Sequence, residues 1–140
     1  MLEVSDLSVR FDTDDGTVHA VDRMAFTLDQ GEVLGIVGES GCGKSVTCMS
    51  LVRLLPETAH ITGRAVFDGR DLLGLSPRAL RRVRGRDISF IFQEPMTSLN
   101  PVFTVGHQIM EVLVRHLELS RRAACDASAA ARSRTSSRSR

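Results

Sequence analysis

The chain has no tryptophan, no tyrosine and a single lysine, Lys44, among its 140 residues. Its three cysteines, Cys42, Cys48 and Cys125, lack the spacing of metal ligands, and an odd number does not fit a disulfide framework. This cysteine usage favours a reducing compartment. No apolar run reaches the length of a membrane span, and the N-terminus does not have the pattern of a signal peptide. The sequence therefore excludes the disulfide-rich and membrane-spanning classes.

Charge is unevenly distributed along the chain. Residues 121–140 contain six arginines and one acid, whereas a mild acidic excess in the rest brings the formal net charge to +1. A mildly acidic body does not suggest a nucleic-acid groove, and we expect no nucleic-acid partner. Residues 120–140 are nearly all Ala, Arg and Ser without an apolar period, so we predict a disordered tail. Two alternatives for this tail are an RNA-binding Arg/Ser segment and the out-of-frame translation of a GC-rich gene.

The most informative stretch is GESGCGKS, at residues 38–45, which fits the pattern G-x-x-x-x-G-K-[ST] at every fixed position. An apolar run at residues 33–37 precedes it and predicts a buried strand, and apolar residues at helical spacing follow it. Strand, glycine loop and helix form the context of a phosphate-binding P-loop, which disfavours a glycine-rich turn with a chance lysine. Backbone N–H groups and the helix N-terminus would attract phosphate, Lys44 would reach the β- and γ-phosphates of ATP, and Ser45 would ligate Mg²⁺. The predicted nucleotide-binding residues of this motif are Gly38, Glu39, Ser40, Gly41, Cys42, Gly43, Lys44, Ser45 and Val46.

Hydrophobic patterning predicts an antiparallel β-layer before the P-loop and a further strand after its helix. Residues 2–11 alternate apolar and polar, and residues 18–28 and 61–67 also have strand character. Ser76 and Pro77 favour the start of a helix that ends near residue 84, residues 87–92 indicate another buried strand, and residues 105–119 predict an amphipathic helix. We therefore predict an α/β fold, a P-loop NTPase core of the RecA-like type with an antiparallel β-layer.

The loop after residues 87–92 indicates a family. It reads QEPMTSLNP from Gln93 and resembles the Q-loop of ABC transporter ATPases, and GESGCGKS resembles the P-loop of the same group. Residues 1–119 resemble the N-terminal part of the ATP-binding subunit of an oligopeptide or dipeptide importer. The resemblance implies an ATP hydrolase that energises peptide import at the cytoplasmic face of the plasma membrane. Its implied partners are transmembrane permease subunits and a second ATP-binding subunit, in a homodimer or heterodimer.

The same resemblance implies roles for individual residues. Lys44 and Gln93 would be catalytic, and Gln93 would join Ser45 in holding Mg²⁺. Residues 94–101 would form much of the docking surface for the permease. Phe11 is the candidate for stacking on adenine, with His19 as the second choice and a core position at the strand end as the alternative.

The family's signature loop, its Walker B strand and its switch histidine have no counterpart in this sequence. We therefore expect a fold that is incomplete at the C-terminus, and we expect residues 1–140 alone to be inactive as an ATPase. Two other readings stay open. One is a small P-loop kinase, and the other is a non-catalytic remnant that binds nucleotide or permease.

Overall fold

The structure, a computed structural model, describes residues 1–92 and 99–136. It divides into two compact units, Met1–Arg81 and Arg82–Arg140. The predicted domain boundary after residue 119 stays a prediction, and within the second unit the helix that follows residue 120 packs against the helix that precedes it.

The first unit is built on a four-stranded antiparallel sheet. Its strands are β1 (Leu2–Thr13), β2 (Gly16–Leu28), β3 (Ala59–Phe67) and β4 (Arg70–Asp71), in the order β2-β1-β3-β4. β1 forms a hairpin with β2 and pairs with β3 along its other edge. The alternation of apolar and polar residues in β1 produces one buried and one exposed face, since successive side chains of a strand point to opposite sides. The predicted antiparallel layer before the P-loop is confirmed in β1 and β2, and the sheet also includes the strands after the P-loop helix.

A bulge in β1 keeps its apolar side chains on the buried face. Val4 and Leu7 are both buried although they are three residues apart. The register with β3 shifts between them, and Asp6 adopts a positive φ of 50°. Opposite the bulge, Gly63 has a φ of 102°, and a Cβ at this position would overlap the carbonyl oxygen of Asp6. Glycine is therefore required where the two strands approach this closely.

Helix α1 (Lys44–Leu51) completes the core of the first unit. Thr47 and Leu51 are buried on the helix, and Val52 directly after it is fully buried. The helix contacts both β1 and β2. The glycine motif at its N-terminus is therefore carried by an element that is packed against the sheet.

Two segments that were predicted as buried strands, residues 33–37 and 87–92, do not form strands. Val37 is 95% exposed and Ile91 is 100% exposed. The second segment has one isolated β-bridge, at Ile88. A buried strand in a parallel sheet needs a hydrogen-bonded neighbour on each side, and the described part of the chain supplies none for these segments. The strand prediction was wrong at both places.

Two of the remaining helices begin at the capping residues that their sequences contain. α2 (Pro77–Val83) follows Ser76, whose hydroxyl accepts a hydrogen bond from the Ala79 N–H at 3.3 Å. α3 (Val105–Leu117) follows Thr104, whose hydroxyl accepts from the His107 N–H at 3.3 Å. Both helices agree with the sequence prediction. Among the helices of the described residues, none has the length and hydropathy needed to cross a bilayer.

Helix α4 (Arg121–Ser136) occupies most of the segment that was predicted to be disordered. Ser120 caps it by accepting a hydrogen bond from the Ala123 N–H at 3.3 Å, and Ala124 is fully buried. Ser128 donates a hydrogen bond to the Gly106 carbonyl of α3 at 3.3 Å. Alanine and arginine have high intrinsic helix propensity, which the absence of an apolar period concealed.

Candidate functional site

The glycine motif turns the chain directly into α1. Gly43 precedes the first helical residue, Lys44, and adopts a left-handed conformation with φ 87° and ψ 3°. A Cβ on Gly43 would overlap the carbonyl oxygen of Ala20 in β2. The missing side chain of Gly43 therefore lets the start of α1 lie against β2.

Two further glycines, Gly38 and Gly41, allow the compact conformation of the loop. Gly41 has a φ of 82°, and a Cβ on Gly38 would lie 2.6 Å from the Cys42 sulfur. The Cys42 N–H donates to the Glu39 carbonyl at 3.3 Å, which closes a turn inside the loop. Positive φ at alternate positions before a helix is the kind of geometry in which backbone N–H groups form an anion-binding concavity. The residues present thus fit a phosphate group.

Lys44 folds its side chain back over the loop. Its Nζ donates to the carbonyl oxygens of Gly38, at 2.8 Å, and Glu39, at 2.5 Å. The same ammonium group lies 3.4 Å from the Cys42 sulfur. The only lysine of the chain therefore lies at the mouth of the loop that precedes the N-terminus of α1.

Ser45 and Thr47 play different structural parts in the first turn of α1. Ser45 is exposed, and within the described ranges its hydroxyl has no hydrogen-bond partner. Thr47 is buried, and its hydroxyl donates to the Gly43 carbonyl at 2.9 Å. Sequence reasoning missed Thr47, although a threonine four residues after the last loop glycine is the signal for such a bond. The other predicted loop residues, Glu39 and Ser40, are exposed, and Val46 is half-buried.

The structure places Phe11 and His19 on opposite faces of the sheet. Phe11 is the cross-strand partner of Val18, and cross-strand partners share a face. Val9, two residues before Phe11 in β1, shares this face, and its partner Val21 has a methyl carbon 3.4 Å from the position of a Cβ on Gly43. The side chain of His19 lies on the other face. The structure therefore brings half-buried Phe11 to the side of the sheet that carries the loop, and it separates His19 from it.

No carboxylate or histidine cluster with three metal ligands occurs in the described residues. The predicted metal ligand Ser45 is available at the start of α1, as described above. Gln93, the other predicted metal ligand and catalytic residue, lies outside the described residues, as do residues 94–98 of the predicted docking loop.

Comparison with known proteins identifies close relatives. The sequence model of the family described as "ABC transporter" matches residues 21–138. The oligopeptide transport ATP-binding protein OppD of Salmonella typhimurium is 54% identical over 121 residues, which cover 86% of this chain and 36% of that protein. The dipeptide transport ATP-binding protein DppD of Bacillus subtilis is 52% identical over 126 residues, covering 89% and 38%. The peptidoglycan transport ATP-binding protein YejF of Agrobacterium fabrum is 55% identical over 118 residues, covering 83% and 22%. The chain thus spans little more than a third of the length of OppD and DppD.

Solved structures show the same fold. The ATP-binding cassette MJ0796, in a dimeric post-hydrolysis state bound to ADP and Pi, matches with a TM-score of 0.72 at 19% identity, covering 91% of this chain and 54% of that one. A second dimeric structure of MJ0796 matches with a TM-score of 0.74 at 21% identity. These matches confirm the predicted P-loop NTPase fold class, and the family model covers most of the chain. The chain therefore belongs to the ABC transporter family.

Proposed function

We propose that this chain binds the phosphates of Mg-ATP in the loop of residues 38–45. The observation that carries the proposal is the position of Lys44, whose ammonium group lies over a glycine-dependent turn at the N-terminus of α1. The positive end of the helix dipole and a fixed cation favour the same anion. A plain surface turn would need neither the close approach of Gly43 to Ala20 nor the bond from Thr47.

The proposed roles of the residues follow from these positions. Lys44 would neutralise charge on the β- and γ-phosphates, and Ser45 would offer its free hydroxyl to the magnesium ion. Phe11 would stack on the adenine, since it shares a sheet face with the strand segment that touches Gly43. Gln93 is proposed as the further ligand of Mg²⁺ or of the attacking water, from the resemblance of its loop alone.

We further propose that the whole protein is the ATP-binding subunit of an importer for oligopeptides or related solutes. Identities of 52–55% to three relatives named for oligopeptide, dipeptide and peptidoglycan transport support this class. ATP hydrolysis would drive import, the permease would hold the subunit at the cytoplasmic face of the plasma membrane, and a second ATP-binding subunit would complete the pair. The dimeric state of the MJ0796 cassette is consistent with such a pair.

Isothermal titration of residues 1–140 with Mg-ATP tests the binding site. We expect Lys44→Ala to weaken binding at least about tenfold, because bonds from a charged donor contribute about 1.5–3 kcal/mol each. Arg64→Ala is the matched control, since it removes an exposed positive charge from β3 and should leave the affinity unchanged. Equal affinity of wild type and Lys44→Ala would refute the site.

A chimera tests the transport function. Residues 1–119 of this chain would replace the matching segment of Salmonella OppD, and uptake of a radiolabelled tripeptide would be measured in cells that lack OppD. We expect uptake by the chimera and none by the same chimera with Lys44→Ala. Normal ATP binding together with absent uptake would reject the peptide importer and leave the nucleotide site standing.

A further inference from the structure

A row of three basic side chains crosses the sheet on the face opposite to Phe11. Arg10 of β1 is the cross-strand partner of His19 in β2 and of His60 in β3. Directly opposed side chains in antiparallel sheets have Cβ atoms about 4.5–5.5 Å apart, so His19 and His60 start on either side of Arg10. Because the three residues belong to three neighbouring strands, the hydrogen bonds between the strands fix the distances between their backbones.

The two nearest acids make their short contacts with other groups, and only the charge of Asp12 also attracts Arg10. Asp12 is bonded to His60, with 2.7 Å between Oδ2 and Nε2, and it accepts a bond from the Thr17 hydroxyl at 3.3 Å. The hydrogen bond from His60 is the main cause that lowers the pKa of the Asp12 carboxyl. Asp22 lies 3.5 Å from Arg23. Among the described residues, Arg10 therefore has no carboxylate within ion-pair distance.

Hydroxyl groups and a cavity complete the arrangement. Ser8 and Thr62 form the next cross-strand pair along β1 and β3. Together with the row and with Asp22 they line a cavity of about 510 Å³. This volume lies within the usual range of small-molecule sites and greatly exceeds that of a single ion. The guanidinium, the imidazoles and the two hydroxyls offer more hydrogen-bond donors than the two oxygens of a carboxylate can use. A phosphate monoester presents three oxygens to these donors.

We propose that this cavity is a second anion site, which binds a small phosphate monoester through Arg10, His19 and the hydroxyls of Ser8 and Thr62. Guanidinium binds phosphate through a fork of parallel N–H bonds, and the hydroxyls donate to the remaining oxygen. His60 holds one side of the row in place through its bond to Asp12. The site lies on the face of the sheet that points away from the P-loop, so it is independent of the proposed nucleotide site.

Ribose 5-phosphate is the probe, and the imidazole resonances of residues 1–140 are the readout. The chain contains four histidines, and each can be assigned by a single His→Gln variant. We expect the probe to shift the His19 and His60 resonances with saturation, while His107 and His116 stay unchanged. Arg10→Gln should weaken the apparent affinity about tenfold or more, because a charge-assisted bidentate contact is lost. His19→Gln should weaken it as well, and Arg64→Gln, an exposed charge of the same sheet, should change it less than about twofold.

The controls separate this site from the P-loop and from carboxylate binding. Lys44→Ala should leave the His19 and His60 titration unchanged, and succinate should not compete with the probe. If Lys44→Ala abolishes the shifts, the phosphate binds at the P-loop and the proposal fails. It fails equally if Arg10→Gln and Arg64→Gln have the same affinity as wild type, or if all four histidines shift together. Retained far-UV circular dichroism in Arg10→Gln and His19→Gln confirms that any loss is local.

Discussion

At the scale of single residues, the P-loop places its cysteine in an exposed position. Cys42 is exposed inside the loop, whereas Cys48 is half-buried on α1. The Cys42 sulfur lies beside both Lys44 and Gly38. A label attached to the Cys42 sulfur would therefore occupy the space that phosphate would take in the proposed site.

Maleimide labelling tests this arrangement. We expect Cys42 to react faster than Cys48, and we expect saturating Mg-ATP to slow labelling of Cys42 alone. Peptide mass spectrometry after timed quenching measures each cysteine separately. Cys125 on α4 is exposed and serves as the internal control, because nucleotide should not affect it. Identical Cys42 rates with and without Mg-ATP would contradict the proposed binding mode.

At the scale of secondary-structure elements, the structure makes opposite predictions for two valines. Val37 belongs to a predicted strand but is 95% exposed, whereas Val9 in β1 is fully buried. Val37→Asp should change the free energy of unfolding by no more than about 0.5 kcal/mol, as is usual for exposed positions. Val9→Asp should cost more than about 3 kcal/mol, because it buries a carboxylate without a partner. Urea denaturation followed by circular dichroism measures both free energies of unfolding. A large decrease for Val37→Asp would mean that residues 33–37 form a buried strand after all.

The sequence predicts some elements well because their stabilising contacts are local. β1 and β2 form a hairpin across a short turn, and Ser76 and Thr104 cap their helices within three residues. Residues 33–37 have the composition of a buried strand, but a strand also needs neighbours, which patterning in one segment does not reveal. In the candidate site the motif identifies Lys44 and Ser45 directly. The contact of Gly43 with Ala20 is set by the packing of α1 on β2, which only the fold shows.

At the scale of the whole molecule, we expect ATP binding without ATP hydrolysis. In the proposed site Lys44 and Ser45 would hold phosphate and metal in the ground state, whereas hydrolysis also needs a group that positions the attacking water. No cluster of acidic or histidine ligands is present in the described part of the chain, and the family's Walker B and signature motifs have no match in its sequence. We expect residues 1–140 at saturating Mg-ATP to release phosphate no faster than the Lys44→Ala variant.

Steady-state phosphate release by the purified chain checks this expectation. The Lys44→Ala variant, prepared in parallel, reports the contribution of contaminating ATPases. Hydrolysis that is clearly above this control would mean that the chain is a complete enzyme, and it would favour the small P-loop kinase or another compact P-loop enzyme. Phosphoryl transfer to a nucleoside monophosphate would then distinguish the kinase.

The single lysine also makes the chain unusual as a target of acylation. Its primary amines are the α-amino group of Met1, which pairs with Asp68 at 2.8 Å, and the ε-amino group of Lys44. An amine-selective acyl donor that spares the N-terminus can therefore modify only Lys44 in the P-loop. Acetylation of Lys44 would keep the side chain but remove its positive charge. The acylation state of this one nitrogen would therefore decide whether the P-loop has its cation.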